Sequence, residues 1–118
     1  MRVLVVDDQL LYAEAISVLL KLQEGIEVVG IAGDGQEAIS RATELEPDLV
    51  LMDIEMPRLD GISATRWIRR RLPSTRVVVM TALSGDEYVT RAIRAGAEAC
   101  VPKFSHAGDF LEAIENIV

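Results

Sequence analysis

Five short apolar runs alternate with five helix-length stretches along the 118 residues, and this alternation limits the possible folds more than any other feature. The first, third and fourth runs are apolar without a polar residue at every second position. That pattern is typical of strands covered on both faces of a parallel sheet. The predicted strands are RVLVV (2–6), IEVVGIA (26–32), DLVLM (48–52), RVVVM (76–80) and EACV (98–101).

The stretches between these strands have the apolar periodicity of amphipathic helices. In the first stretch, LLYAEAISVLLKL, apolar residues recur at spacings of three and four at Leu11, Ala15, Val18 and Leu22. The other predicted helices span 34–45, 61–72, 84–96 and 105–118. Strands joined by helices through short connections pair in parallel with right-handed crossovers. We therefore predict one α/β domain, residues 1–118, with a flavodoxin-like doubly wound (βα)5 sandwich and sheet order 2-1-3-4-5.

Charge and composition exclude several classes of function. Twelve basic and nineteen acidic residues give a net charge of -7, which disfavours non-specific binding to nucleic acid or to an anionic membrane. No apolar run exceeds four residues, so we expect neither a membrane span nor a signal-peptide core. The single cysteine, Cys100, excludes an internal disulfide. The expected location is therefore the reducing cytoplasm.

Polar residues follow four of the five predicted strands. Asp7 and Asp8 follow the first strand, Asp53 the third, Thr81 the fourth and Lys103 the fifth. In an open parallel sheet these carboxyl ends meet at one edge, near the point where the strand order reverses. We therefore expect these five side chains to lie close together and to form the functional site.

Three carboxylates at one edge need a compensating charge. At a separation of about 5 Å and an effective dielectric of about 20, each pair repels by roughly 3 kcal/mol. Such a cluster raises a pKa or recruits a cation, and oxygen ligands without nearby His or Cys favour Mg²⁺. With the Lys103 ammonium and the Thr81 hydroxyl beside it, Asp53 is suited to act as a nucleophile in phosphoryl transfer. The alternative is structural: Asp8 caps the first helix, and the other polar residues only end strands.

The motifs VLVVDDQ, LMDIEMPRLDGI, VVVMTA and VPK together resemble the receiver domains of two-component response regulators, over the whole chain. The segments EVVGIAGDGQEAI and MDIEMPRLDG are most similar to the corresponding segments of receivers attached to a LuxR-type helix-turn-helix output domain. The resemblance implies a phosphorylation-dependent switch that accepts its phosphoryl group from a sensor histidine kinase. It implies slow self-dephosphorylation rather than an enzyme activity on other substrates.

The resemblance also implies a role for each site residue. Asp53 would be the phosphoacceptor, with Thr81 and Lys103 contacting the phosphoryl oxygens. Asp8 would bind Mg²⁺ directly and Asp7 mostly through water. The fourth metal residue, Glu55, would contribute its backbone carbonyl while its side chain faces the mouth of the site.

The implied switch has two departures from the family. Thr81 would move inward on phosphorylation, but Cys100 stands where most members have Tyr or Phe. Phe104 follows Lys103 where many members have Pro, so we predict a trans bond there. The fourth helix, fifth strand and fifth helix would carry the change to an output domain or partner protein. We expect the output to be transcriptional, with DNA bound only by a further domain.

Three alternatives remain open from the sequence. A Mg²⁺-dependent phosphohydrolase similar to the haloacid dehalogenase group would also use Asp53 as nucleophile, with Glu55 at the position of its general acid. A receiver-like binding module would need no phosphate, an interpretation that Cys100 allows. Finally, Leu11, Tyr12 and Phe110 either leave apolar area for a homodimer or pack in the core, and we favour core packing.

Overall fold

Five parallel strands form one sheet in the order β2-β1-β3-β4-β5, which confirms the predicted fold. The computed structural model describes residues 1–82, 86–103 and 107–117. The strands are β1 (Arg2–Val6), β2 (Glu27–Ala32), β3 (Leu49–Asp53), β4 (Arg76–Thr81) and β5 (Ala99–Pro102). The helices are α1 (Leu10–Lys21), α2 (Gly35–Leu45), α3 (Gly61–Arg71), α4 (Asp86–Ala95) and α5 (Ala107–Ile117).

The central strands are buried on both faces, which explains why their sequences do not alternate. Successive residues of β3, such as Leu51 and Met52, point into two separate apolar clusters. One cluster packs beneath α2, α3 and α4, and the other beneath α1 and α5. All five residues of β3 are buried. Each fully buried Val, Leu or Met side chain contributes roughly 1.5–3 kcal/mol to stability. This burial holds β3 in place and so fixes the position of Asp53 at its end.

The apolar residues that recur at helical spacing in the sequence of α1 do not lie on the face that packs on the sheet. Leu11, Ala15, Val18 and Leu22 are all exposed. The buried face consists of Ala13, Ile16, Ser17 and Leu20. The helix is apolar on two sides, so spacing alone does not identify the side that meets the sheet.

Of the three residues considered for an exposed apolar surface, only Leu11 is exposed. Phe110 of α5 is buried in the core between α5 and the sheet. Tyr12 is half-buried and packs at the edge of the same cluster. Core packing is therefore correct for Phe110 and wrong for Leu11.

Some predictions fall on residues that the structure does not describe. These are the predicted helical positions 84–85, 105–106 and 118, and the trans bond between Lys103 and Phe104. Within the described residues, none of the helices has the length and apolar character that a membrane span requires.

Candidate functional site

The strand ends bring all five predicted polar residues to one edge of the sheet. Register places Asp53 beside Met80 at the end of β3, and Thr81 beside Pro102 at the end of β4. The backbone N–H of Lys103 donates to the carbonyl of Thr81 at 2.8 Å, which fixes the turn after β5. A cavity of about 180 Å³ lies at this edge. It is lined by Asp8, Gln9, Asp53, Glu55, Thr81, Ala82 and Lys103.

Three carboxylates form the acidic part of the site. One oxygen each of Asp7, Asp8 and Asp53 lies within 4.8 Å of the others. Asp7 and Asp53 are buried, with exposed fractions of 1% and 3%, whereas Asp8 is exposed and lines the cavity. Like charges this close repel strongly where water is excluded.

Asp8 does not cap α1, so the structural alternative for this residue is wrong. The N-cap position is Gln9, and its side chain makes no capping hydrogen bond. The backbone N–H of Gln9 instead donates to Asp7 Oδ1 at 2.8 Å, which fixes the Asp7 side chain at the end of β1. The Asp8 carboxylate is therefore directed to the cavity rather than used by the helix.

Lys103 lies at the centre of the charged groups. Its Nζ is 2.8 Å from Asp7 Oδ2 and 3.4 Å from Asp53 Oδ2. It also donates to Gln9 Oε1 at 3.0 Å, and it lies 4.7 Å from the centre of the Tyr12 ring. A buried ammonium held by two carboxylates, an amide oxygen and an aromatic face has little freedom to leave the site.

Gln9 and Tyr12 are site residues that were not predicted from the sequence. Gln9 directly follows the Asp7–Asp8 pair, and Tyr12 comes three residues later. Residues three apart share one side of a helix, so this spacing was the available signal. It was weak, because an apolar aromatic ring near a helix start also suits simple packing.

At Asp53, the effects of burial and of the neighbouring carboxylates on the pKa oppose the effect of Lys103. Burial, together with the charges of Asp7 and Asp8, raises its pKa to about 7, although Lys103 opposes the shift. Burial alone would lower the pKa of Lys103, but its hydrogen bond with Asp7 and the charges of both carboxylates outweigh this and raise it. Without a further cation, Asp53 is therefore partly protonated at neutral pH.

The acidic cluster has the donor set that Mg²⁺ requires. Octahedral Mg²⁺ takes oxygen ligands at about 2.1 Å, so opposite ligands stand about 4.2 Å apart, which is compatible with three oxygens that all lie within 4.8 Å of one another. Among the described residues, the buried Asp7 Oδ2 accepts no well-aligned hydrogen bond apart from its ion pair with Lys103. Such an oxygen can still accept from a metal-bound water. These residues fit a small divalent cation.

The segment of residues 54–60, here called the β3–α3 loop, carries Glu55 past the acidic cluster. At its far end, the N–H of Gly61 donates to the carbonyl of Ile54 at 2.9 Å. A Cβ on Gly61 would lie 1.9 Å from the backbone oxygen of Asp53, so only glycine permits this approach. The loop therefore folds back tightly on the end of β3, and the exposed Glu55 lines the cavity.

The same loop is also held by the start of α2. Gly35 N–H donates to the carbonyl of Leu59 at 3.1 Å, and Arg58 Nε donates to Asp34 Oδ2 at 2.9 Å. Arg58 adopts a left-handed backbone conformation with φ 67°. No role was predicted from the sequence for the AGDG segment after β2, yet this segment anchors the loop that carries Glu55. In the sequence, this anchoring role is indicated only by the adjacent Asp34 and Gly35.

The predicted switch positions lie on the neighbouring strands. Thr81 is buried at the end of β4. Cys100 is half-buried on β5 and packs against the cluster beneath α4, and burial raises the pKa of its thiol. A neutral thiol in this position acts as a small apolar side chain rather than as a nucleophile.

Comparison with known proteins gives one consistent picture. Residues 3–115 match the family described as the response regulator receiver domain. The response regulator protein VraR of Staphylococcus epidermidis is 42% identical over 113 residues, which cover 96% of this chain and 54% of that protein. VraR of Staphylococcus aureus has the same identity and coverage. The chain thus spans about half the length of the curated relatives that it matches.

Solved structures agree with the sequence relatives. A LuxR-family two-component response regulator from Aurantimonas sp. SI85-9A1 superposes with a TM-score of 0.92 at 35% identity, covering 98% of this chain and 83% of that one. The signal receiver domain of the putative NarL regulator from Mycobacterium tuberculosis gives a TM-score of 0.92 at 31% identity, with coverages of 98% and 94%. A CheX–CheY–BeF3–Mg²⁺ complex from Borrelia burgdorferi gives 0.93 at 26% identity, with coverages of 99% and 88%.

Proposed function

The chain belongs to the response regulator receiver domain family of two-component signalling, and we propose that Asp53 is its phosphoacceptor. The observation that carries the proposal is the cluster itself. Three carboxylate oxygens lie within 4.8 Å of one another, and the Lys103 ammonium lies 3.4 Å from Asp53. In this proposal residues 1–118 form one receiver domain, and the phosphoryl donor is the phosphohistidine of a sensor histidine kinase.

The proposed phosphoryl transfer involves three side chains, those of Asp53, Lys103 and Thr81. A carboxylate oxygen of Asp53 attacks the phosphorus in line, the new O–P bond forms, and the P–N bond to the donor imidazole breaks. Lys103 pairs with a phosphoryl oxygen from its position between Asp7 and Asp53. The hydroxyl of Thr81, at the end of β4, donates to another oxygen and moves inward as it does so. The protein transfers a phosphoryl group to itself and later loses it slowly to water.

A bound divalent cation completes the site. We propose Mg²⁺, held by Asp8 and Asp53 directly, by Asp7 mostly through water, and by the backbone carbonyl of Glu55. Bound there, Mg²⁺ neutralises the negative charge that the phosphoryl oxygens bring to three carboxylates. The similar CheY from Borrelia burgdorferi forms its complex with BeF3 and Mg²⁺, which supports this choice.

The surface and the domain that receive the phosphorylation signal are separate from the phosphorylation site. Because the curated relatives are about twice as long and a structural neighbour is a LuxR-family regulator, we propose that this receiver controls a transcriptional output domain in the cytoplasm. The surface of α4, β5 and α5 would pass the signal to that domain or to a partner protein. DNA would be bound only by the output domain. With Cys100 on β5, the movement of Thr81 must act without an aromatic ring at that position.

The proposal is tested with a small phosphodonor. Incubation with phosphoramidate and Mg²⁺ should give a stoichiometric, acid-labile phosphoryl adduct, detected by intact-protein mass spectrometry. Asp53→Asn should abolish the adduct, whereas the control Asp109→Asn, an exposed position on α5, should leave it unchanged. Multiple-turnover phosphate release would instead indicate a phosphohydrolase. Absence of any adduct from the wild type would indicate a binding module that needs no phosphate.

A further inference from the structure

Tyr12 contacts the functional site from helix α1, although the proposed phosphoryl transfer uses no side chain of that helix. It lies in the first turn of the helix, is half-buried and packs at the edge of the cluster beneath α1 and α5. The Nζ of Lys103 lies over its ring, 4.7 Å from the ring centre. A distance below about 6 Å is that of a cation–π contact. The ring therefore touches the residue that is proposed to pair with a phosphoryl oxygen.

Burial strengthens this contact. Lys103 is buried, with an exposed fraction of 8%. The described residues contain another cation–π contact, between Arg71 and Trp67 at 5.2 Å, but Arg71 is exposed. An aromatic face attracts a cation more strongly where water is excluded, because less solvent screens the attraction. The contact at Lys103 should therefore have a larger effect than the contact at the surface.

The contact with the ring differs in kind from the hydrogen bonds and ion pairs of Lys103. An ammonium group has three N–H donors, and three oxygens lie around this one: Asp7 Oδ2 at 2.8 Å, Gln9 Oε1 at 3.0 Å and Asp53 Oδ2 at 3.4 Å. A hydrogen bond to any of these oxygens needs a donor that points at it. The ring attracts the positive charge as a whole and needs no directed donor.

This difference matters when a phosphoryl group enters the site. To pair with a phosphoryl oxygen, Lys103 must turn a donor away from one of the oxygens that now surround it. The hydrogen bonds of the ammonium change during that exchange, whereas its attraction to the ring stays because the charge stays. The ring therefore limits the positions that Nζ can take while its partners change. A charge that is already in place accelerates a reaction, because no reorganisation is needed as the phosphoryl charge develops.

We propose that Tyr12 is a positioning residue for phosphoryl transfer, whose ring holds the Lys103 ammonium beside Asp53 while the hydrogen bonds of Lys103 exchange. This inference rests on the proposed function, because it assigns Tyr12 a role in the same transfer. Tyr12 acts through Lys103 and not on the reacting atoms. The bonds that form and break are those between Asp53, the phosphorus and the donor, and the ring gains or loses neither atoms nor electrons.

A simple packing role for Tyr12 predicts different behaviour. Tyr12 also packs against the apolar cluster, and for that purpose an apolar side chain of similar size is adequate. The positioning role depends instead on the negative face of the aromatic ring. Fluorine atoms on a ring withdraw electron density from that face with little change of shape. The electronic character of the ring therefore separates the two roles.

The test measures the rate of phosphorylation by phosphoramidate and Mg²⁺, followed by intact-protein mass spectrometry. Tyr12→Phe keeps the ring and should react within about twofold of the wild type, whereas Tyr12→Leu should react about three- to tenfold more slowly. Mono-, di- and trifluorinated phenylalanine at this position should lower the rate progressively. The control is Leu19→Ala, because Leu19 is half-buried on the same helix and packs against the same cluster. That variant should lose stability but keep the wild-type rate.

A second measurement needs neither Mg²⁺ nor a phosphodonor. In the NMR spectrum of the protein alone, the ring current of Tyr12 should shift the protons on Cε of Lys103 upfield. The shift should persist in Tyr12→Phe and disappear in Tyr12→Leu. Its absence from the wild type would show that the ring does not hold the ammonium in solution, which overturns the proposal.

The outcomes distinguish failure of this proposal from failure of the proposed function. If the wild type forms the adduct and the rate is unchanged in Tyr12→Leu, or does not depend on fluorination, the role of Tyr12 is overturned and Asp53 remains the phosphoacceptor. An equal loss of rate in Leu19→Ala would assign the effect to packing and overturn the proposal in the same way. Absence of any adduct from the wild type would overturn the proposed function together with this inference.

Discussion

Asp53 combines two requirements that conflict, since a nucleophilic carboxylate must be ionised but the end of a buried strand disfavours charge. Its pKa in the folded protein is about 7, raised by burial and by Asp7, against a usual value of 3.8. Between these values the native state binds more protons than the unfolded state. The free energy of unfolding therefore falls as pH rises from about 4 to 7, and the loss is complete above the folded pKa.

Replacing this carboxylate should stabilise the protein in a pH-dependent way. In Mg²⁺-free buffer, we expect Asp53→Asn to raise the free energy of unfolding by about 1–3 kcal/mol at pH 8, a value reduced because the side chain lines a cavity rather than being fully enclosed. The gain should vanish near pH 4, where the wild-type residue is protonated. Urea denaturation at both pH values measures it. An equal gain at both would show that charge is not the cause.

At the scale of single elements, two buried threonines provide a matched comparison. Thr65 of α3 is completely buried, and its hydroxyl has no hydrogen-bond partner among the described residues. Thr75, just before β4, is also buried, but its hydroxyl donates to the carbonyl of Pro47 at 2.8 Å. Valine has nearly the same shape as threonine and lacks the hydroxyl, so it isolates this difference.

We expect the two substitutions to have opposite signs. Thr65→Val removes an unsatisfied buried group and should leave the free energy of unfolding unchanged or raise it by up to about 1 kcal/mol. Thr75→Val leaves a buried carbonyl without its donor and should lower it by about 1–3 kcal/mol. Guanidinium denaturation of both variants measures the difference. A loss in Thr65→Val as large as that in Thr75→Val would mean that its hydroxyl has a partner after all.

Because the β3–α3 loop is anchored to the start of α2, a substitution in α2 should affect the proposed metal site. A Cβ on Gly35 would lie 2.2 Å from the carbonyl oxygen of Leu59, whereas one on Gly33 would meet nothing within 4 Å. Gly35→Ala should therefore displace the loop that carries Glu55. We expect Mg²⁺ affinity to fall several-fold and stability to fall by about 1–3 kcal/mol.

The neighbouring glycine supplies the control. Gly33→Ala should leave both Mg²⁺ affinity and stability nearly unchanged. The affinity is measured by following amide shifts of Asp8 and Asp53 during a Mg²⁺ titration. If Gly35→Ala lowers stability but leaves Mg²⁺ affinity intact, the loop anchor is structural and does not position the metal site.

For the molecule as a whole, the sequence predicted the sheet and the convergence of Asp53, Lys103 and their neighbours. Both follow from one rule, that parallel strands end at a common edge. It did not predict which side of α1 packs on the sheet, because Leu11 and Ile16 are equally apolar. It did not predict the Arg58–Asp34 contact either. Those features depend on tertiary packing, which leaves no periodic pattern in the chain.

Because the proposed metal ligands come from two different strands, metal binding should stabilise the entire fold. An unfolded chain does not hold Asp8 and Asp53 together, so Mg²⁺ binds the native state alone and stabilises it by RT ln(1 + [Mg²⁺]/Kd). With a Kd of about 1 mM, 10 mM Mg²⁺ should add about 1.4 kcal/mol, or roughly 6 °C in Tm. Differential scanning calorimetry measures the shift, with NaCl of equal ionic strength as control. Asp8→Asn should lose most of it, since its carboxylate belongs to the cluster but not to the cap of α1. An equal shift in that variant would place the stabilising cation elsewhere.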